Sequence, residues 1–378
     1  MQYSKSFVNS CITRVEVFPI RAPRKEPVKS GRNPNHPLSV SEFGIISIET
    51  EGGMEGAGEV SITFPRIGHS LCHAAQHVIA PALKGLDCLH VPRVLAEIDQ
   101  LLAGHLSASY LRAAFEMALL DLVGKHYAIP VWQLLGGRMR ERVPLAWGIY
   151  LKDPEEMAED AARAKADGYH AIKLKVGRRL EDDLAAVRAV AASAGDLPLR
   201  LDANGAWSSV AEAARAVDAF SAEAPVAWVE QPLPSRNFEG LRMLRQRTRV
   251  PVMADESCQT LRDAYELARA EAADVFNVYV VEAGGLRAAA SIFEFASALD
   301  IPCILGSQAE MGIGTAAAAH LAVAVERLPY ACETFGPLRY CRDIVRDAVP
   351  ISGGFLTPPD GPGLGVQPDW EAIRALTI

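Results

Sequence analysis

Apolar and polar positions alternate in short runs between Thr13 and about Glu59. Val15, Val17 and Ile20 open the pattern, and Ile45-Ile46-Ser47-Ile48-Glu49 leads through Gly52-Gly53 into a further run that ends at Gly58-Glu59. A period of two predicts strands, here an antiparallel meander. The stretch from Arg21 to Pro37 is rich in Pro, Lys, Arg and Gly and shows neither period, so a mobile loop is expected there. From about Ile67 to Ala128 the spacing becomes helical, as in Leu111, Phe115, Ala118, Leu119 and Leu122.

The pattern changes again between Pro130 and Pro144, around Gly136-Gly137. Beyond it, short apolar segments alternate with alanine-rich amphipathic ones. The expected strands are Leu145 to Ile149, Ala171 to Lys175, Leu199 to Ala203, Ala227 to Glu230, Val252 to Asp255, Val275 to Tyr279, Cys303 to Gly306 and Ala331 to Phe335. Seven helical segments fill the gaps and none follows the last strand. Such alternation predicts an α/β fold, a (β/α)7β modified TIM barrel with an α+β capping domain. The expected division is a capping domain over residues 1–135, a barrel over 136–340 and a segment, 341–378, that returns to the cap.

Composition narrows the setting. The chain has 378 residues, 49% hydrophobic and 22% charged, enough for a large core and unlike a disordered protein. Apolar runs such as Ala316 to Val325 fall short of the roughly 20 residues a membrane span needs. Met1 to Ser10 lacks the features of a signal peptide, so the cytoplasm is the expected location. Seven scattered cysteines without a Cys-x-x-Cys pair read as reduced, mostly buried residues. A net charge of −8 argues against nucleic acid or an anionic membrane as partner. An anionic substrate would therefore need a local cluster of positive charge.

Polar residues do cluster at the strand ends nearest the following helices. Lys173 and Lys175 end the second barrel strand, Asp202 and Asn204 the third, Glu230 the fourth, and Asp255 and Glu256 the fifth. Spacings of 27 residues from Lys175 to Asp202, 28 to Glu230 and 25 to Asp255 each equal about one βα unit, which brings these residues together at one end of the barrel. Residues two apart on a strand share a face. Three carboxylates at one mouth repel unless a cation lies between them, and hard oxygen donors without Cys or His suit Mg²⁺, with Mn²⁺ as the alternative. Surface salt bridges would explain any one acid, but not three in register.

At these residues the chain resembles the enolase superfamily, in its mandelate racemase/muconate lactonizing enzyme family and that family's muconate-lactonizing subgroup. The resemblance runs along nearly the whole sequence. It is carried by Gly58-Glu59, Ala118-Leu119-Leu120-Asp121, Leu134-Leu135-Gly136-Gly137, Lys173-Leu174-Lys175, Asp202-Ala203-Asn204, Glu230-Gln231-Pro232, Ala254-Asp255-Glu256-Ser257, Gly312-Ile313-Gly314-Thr315 and Glu333-Thr334-Phe335-Gly336-Pro337-Leu338. It implies that Asp202, Glu230 and Asp255 hold Mg²⁺ against the carboxylate of a small carboxylic acid, stabilising an enediolate. Lys173 would add positive charge there. Lys175 would act as acid or base, its pKa lowered toward neutrality by the metal and Lys173. Asn204 and Glu256 are further candidates for binding the substrate.

One position departs from the family. Most of the subgroup ends its sixth strand with a lysine, where this chain reads Asn277-Val278-Tyr279. A phenol, with a reference pKa of about 10, is a poorer cation. Chemistry on one face by Lys175 is then expected, either cycloisomerisation or syn-dehydration; the alternatives are a racemase or epimerase with Tyr279 as second acid/base, and a barrel that binds metal without turnover. No histidine follows the seventh strand at Ile304-Leu305-Gly306-Ser307-Gln308, so Glu310 is the candidate acid over the substrate. Arg32 and His36, in the expected loop over the mouth, are candidates for selecting it. His69, His73 and His77 share a helical face but lack carboxylate partners, and Gly361-Pro362-Gly363-Leu364-Gly365 follows no strand, so neither is read as a site. A homo-oligomer is the expected assembly.

Overall fold

A computed structural model describes residues 9–30, 35–62, 68–103 and 108–378. The meander consists of strands Ile12–Val28, Leu38–Thr50 and Glu55–Ile62, paired antiparallel in that order. The first strand overturns part of the expected loop, because residues 21–28 continue it. Its inward positions there are Ala22, Arg24 and Val28, and its outward ones include Arg21, Pro23, Lys25 and Pro27. With small or charged residues facing inward, the period of two is hard to see in the sequence. The prolines are tolerated because this is an edge strand.

The helix Ala108–Tyr127 packs on the third strand at very short range, since a Cβ at Gly56 or Gly58 would run into the carbonyls of Ala118 and Ala114. That contact brings Asp121 to the backbone of the sheet. Its Oδ2 accepts from the Ala57 N–H at 3.0 Å and from Lys125 Nζ at 2.7 Å, and its Oδ1 accepts from the Leu364 N–H at 2.9 Å.

Seven parallel strands form the curled sheet, in sequence order: Ala146–Ile149, Ala171–Lys175, Leu199–Asp202, Val226–Glu230, Val252–Ala254, Val275–Val278 and Cys303–Leu305. The expected eighth strand is reduced to a narrow bridge. The Glu333 N–H donates to the Leu305 carbonyl at 3.0 Å, the Cys332 N–H donates to Pro144, and Cys332 accepts from the Ala146 N–H, both at 2.8 Å. These bonds join the last position to the first and close the barrel. A helix follows each of the seven strands, the last being Gly312–Ala324. After the barrel, Ile351–Ser352 pairs with Phe355–Leu356, which pairs in turn with Val143–Pro144, and the helix Trp370–Leu376 packs on the first meander strand.

Alternation along the strands builds the barrel interior in layers. The lower layer is largely apolar: Trp228, Met253, Val275 and Ile304 cluster together, as do Ala146, Ala171 and Ala331. Arg200 is buried there with its guanidinium 4.1 Å from the Trp228 ring. Two residues further along the same strands lie Lys173, Asp202, Glu230, Asp255, Asn277 and Glu333. The fold therefore sets a charged layer on an apolar floor. Among the described residues, no helix is long and apolar enough to cross a membrane.

Candidate metal centre and active-site cavity

Strand register brings the acids together. Lys175 pairs with Asp202 across one ladder, and Asp202 with Glu230 across the next. Asp202, Glu230 and Asp255 each offer an oxygen within 4.8 Å of the others, and all three are buried. The Gln231 carboxamide holds the fifth-strand end in place. Its Oε1 accepts from the Asp255 and Ser257 N–H groups at 3.0 and 3.1 Å, while its Nε2 donates to Leu233 O and Ser257 Oγ. Gln231 and Asn204 both sit in the left-handed backbone region, φ 37° and 46°, directly after strands that carry acids. Strain held by surrounding structure is common beside functional groups.

Lys173 Nζ is enclosed by carboxylates: Glu230 Oε1 and Glu333 Oε2 at 2.6 Å, and Asp202 Oδ2 at 3.0 Å. Burial opposes its charge, yet Asp202, Glu230 and Glu333 outweigh this and hold the ammonium well above its ordinary range. Lys175 Nζ donates to Asp202 Oδ2 at 2.6 Å and Asn204 Oδ1 at 2.7 Å. Its expected depression is absent in the protein alone. Burial is the largest influence and lowers the Lys175 pKa, but Asp202 and Glu230 together raise it, and the net shift is upward. A cation beside Asp202 would oppose that upward shift.

Burial raises Glu230 to about 8, with repulsion from Asp202 adding to the effect. Asp255 is raised well above its usual range by burial and then by Glu256 and Glu230. Glu230 Oε2 is buried without a hydrogen-bond partner. An orphaned anionic oxygen, mutual repulsion and an all-oxygen donor set fit a hard divalent cation. These residues could hold a metal ion.

Above them opens a cavity of about 830 Å³, lined in part by Lys173, Lys175, Asn204, Asp255, Glu256, Tyr279 and His36. Asn204 Nδ2 donates to Glu256 Oε1 at 3.2 Å. The Tyr279 hydroxyl accepts from Asn277 Nδ2 at 3.3 Å. Burial, then Asp255, Glu230, Glu333 and Glu282, raise the Tyr279 pKa well above its ordinary value, so it stays a neutral phenol. Glu310, expected over the substrate, is held by its own turn. Its carboxylate accepts from the Ser307 hydroxyl and, at 3.0 Å, from the Gln308 N–H, and it does not line the cavity. A tight turn with its own donors claims the carboxylate. Arg32 lies outside the described residues.

Three residues that reading the strand ends did not select also shape the cavity. Glu333 holds Lys173 from the eighth position, inside the segment Ala331 to Phe335 that the sequence marks as a strand, although that pattern does not show where its carboxylate lies. Arg24 and Arg339 line the wall beside Tyr150. The Arg339 guanidinium stacks 4.0 Å from the Trp147 ring and donates to the Gly148 carbonyl. Burial opposes ionisation of the Tyr150 phenol, but Arg339, Arg24 and Lys175 together bring it below its usual range. This wall is positive, as an anionic substrate would need in an acidic protein.

Residues 156–372 match the family described as enolase C-terminal domain-like, and residues 12–136 match the mandelate racemase/muconate lactonizing enzyme N-terminal domain. The chain belongs to the mandelate racemase/muconate lactonizing enzyme family. Muconate cycloisomerase 1-2 of Acinetobacter lwoffii is 37% identical over 300 residues, 79% of this chain and 77% of that protein. N-succinyl-L-Arg/Lys racemase of Bacillus cereus is 29% identical over 373 residues, 97% of this chain and 98% of that protein. The crystal structure of muconate lactonizing enzyme from Pseudomonas fluorescens, complexed with muconolactone, superposes with a TM-score of 0.92 at 30% identity, covering 98% of this chain and all of that one. As a member of this family the protein is an isomerase or lyase.

Proposed function

We propose that the protein is a Mg²⁺-dependent lyase or isomerase of a small carboxylic acid, working on one face of the substrate through Lys175. Asp202, Glu230 and Asp255 would hold the ion. When bound, it would supply positive charge to the substrate carboxylate as negative charge builds up there on removal or rearrangement at the neighbouring carbon. Lys173, fixed among Asp202, Glu230 and Glu333, would extend that positive field without moving. Lys175, tethered by Asp202 and Asn204, would carry the proton.

The observation that carries this reading is the asymmetry of the two walls. On one side stands a lysine at 2.6 Å from an acid; across the barrel stands Tyr279, a neutral phenol that burial and then nearby carboxylates keep from ionising. One strong proton carrier favours cycloisomerisation or syn-dehydration over two-sided exchange. Racemisation with Tyr279 as second acid/base is the competing reading, and similarity to an N-succinyl-L-Arg/Lys racemase favours it.

Incubation of enantiopure candidate acids with the Mg²⁺-loaded enzyme in D₂O separates the two. One-face chemistry gives product or exchange with retained configuration. Deuterium incorporation with inversion would make the enzyme a racemase.

A further inference from the structure

The cavity has a second wall whose charge the proposed chemistry leaves unused. Glu282 follows the sixth barrel strand, which lies opposite the second in an eight-membered ring, so it faces the wall of Lys175 across the mouth. It lines the cavity, although only 5% of the residue is exposed. Its Oε1 accepts from Gln308 Nε2 at 2.7 Å and from the Tyr110 hydroxyl at 3.4 Å. Its Oε2 is buried with no hydrogen-bond partner.

Among the described residues no lysine or arginine forms an ion pair with this group, and the neighbours that act most on its charge, Glu256, Gln308, Tyr110 and Gln259, are not basic. The neighbouring Glu256 also has an unpartnered oxygen, Oε2, but it adjoins the proposed metal ligand Asp255 and is accounted for there. Glu282 is not.

A buried carboxylate without a counter-charge is unfavourable, and it persists where a ligand supplies the missing charge. Buried acids such as Asp121 and Asp183 are paired with backbone N–H groups and with a lysine or an arginine. The cavity is thus bipolar: Arg24, Arg339 and Lys175 on one side, Glu282 and Glu256 on the other. Complementarity asks for a ligand with both signs of charge.

We propose that the substrate is a zwitterion, a carboxylic acid that also bears a cationic nitrogen, with that nitrogen seated against Glu282. This deepens the functional reading above and rests on its placement of the substrate carboxylate at the metal centre. Glu282 is then a specificity-determining residue that pairs with the nitrogen, taking no proton from the reacting carbon.

Calorimetric titration of the Mg²⁺-loaded protein with shape-matched pairs tests it without turnover. The pairs are L-alanine with isobutyrate, β-alanine with butyrate, and γ-aminobutyrate with pentanoate, which differ by ammonium against methyl at three spacings from the carboxylate. The expected result is at least tenfold tighter binding of the amino acid in one pair, with that preference falling severalfold or more in Glu282→Gln while the alkanoate affinity is unchanged. Equal affinities within all three pairs of the native protein would overturn the proposal, whatever the variant does. So would a preference that survives Glu282→Gln. Dependence of alkanoate binding on Mg²⁺ reports separately on the carboxylate site, so failure of the metal reading and failure of the Glu282 assignment give different results.

Discussion

Asp121 and Glu59, where the meander meets the barrel, are as deeply buried as Asp202 and Glu230 at the barrel mouth, yet their surroundings are opposite. Asp121 accepts from two backbone N–H groups and a lysine. Glu59 accepts from the Met311 and Gly314 N–H groups at 2.8 Å and from the Ser61 hydroxyl at 2.6 Å. Every oxygen of these two acids has a donor, and their work is to hold segments together. At the mouth the acids face one another and Lys173, and Glu230 keeps an oxygen without a partner. The lesson is that burial alone does not mark a functional carboxylate; a deficit of donors around it does.

The largest effect that would test this contrast is at Lys175. Lys175→Ala should lower kcat by on the order of 10³-fold, as loss of a general acid/base does, while calorimetric Mg²⁺ affinity stays near that of the native protein. Retained activity would remove Lys175 from the mechanism. Next, Asp255→Asn should weaken Mg²⁺ binding by about a hundredfold, since it removes a charged ligand; an undiminished affinity would dissolve the proposed ligand set.

At the junction the same kind of change should act on stability alone. Asp121→Asn keeps the shape but leaves Lys125 and one backbone donor poorly matched, at a cost of about 2 kcal/mol in urea unfolding. Mg²⁺ affinity should not move. An Asp121→Asn protein as stable as the native one would mean that the seam does not depend on this acid.

The smallest expected effect is a pH dependence at the same seam. His320 Nε2 lies 3.1 Å from the Leu364 carbonyl, the residue whose N–H Asp121 holds. Burial lowers His320 to about 4, below the value of about 6.5 for an unfolded histidine. Between those values the unfolded chain binds the extra proton, so stability is complete above about pH 6.5 and falls as the pH drops toward 4. By pH 5.5 the His320 contribution should be reduced by about 1.4 kcal/mol. His320→Gln should flatten that part of the stability profile, and an unchanged slope would show that other groups set it.

Much of the site was legible in the chain. Lys173, Lys175, Asp202, Glu230 and Asp255 recur at about one βα unit, and that spacing needs only the alternation of strands and helices to become proximity. The barrel itself followed from the same alternation. Less legible were features with no local signal. Strand structure over residues 21–28 was hidden by Ala22 and Arg24 at its inward positions. The role of Glu333 depended on a strand reduced to one bridge, and the clamp made by Gln231 depended on backbone donors that belong to the next strand. Glu310 carries the right chemistry at a suitable place, yet its own turn consumes it.

Sequence by itself determined the barrel and the proposed ligand trio, because period and spacing are properties of the chain; the resemblance to the family added that Tyr279 stands where most of the subgroup has a lysine. Tertiary structure decided which charges are balanced and which are not. That Lys175 sits above its ordinary pKa in the protein alone, that Tyr279 stays neutral and that Glu282 has no basic partner among the described residues all depend on distances between elements far apart in sequence. Coulomb interactions and desolvation act through space, and no motif records them.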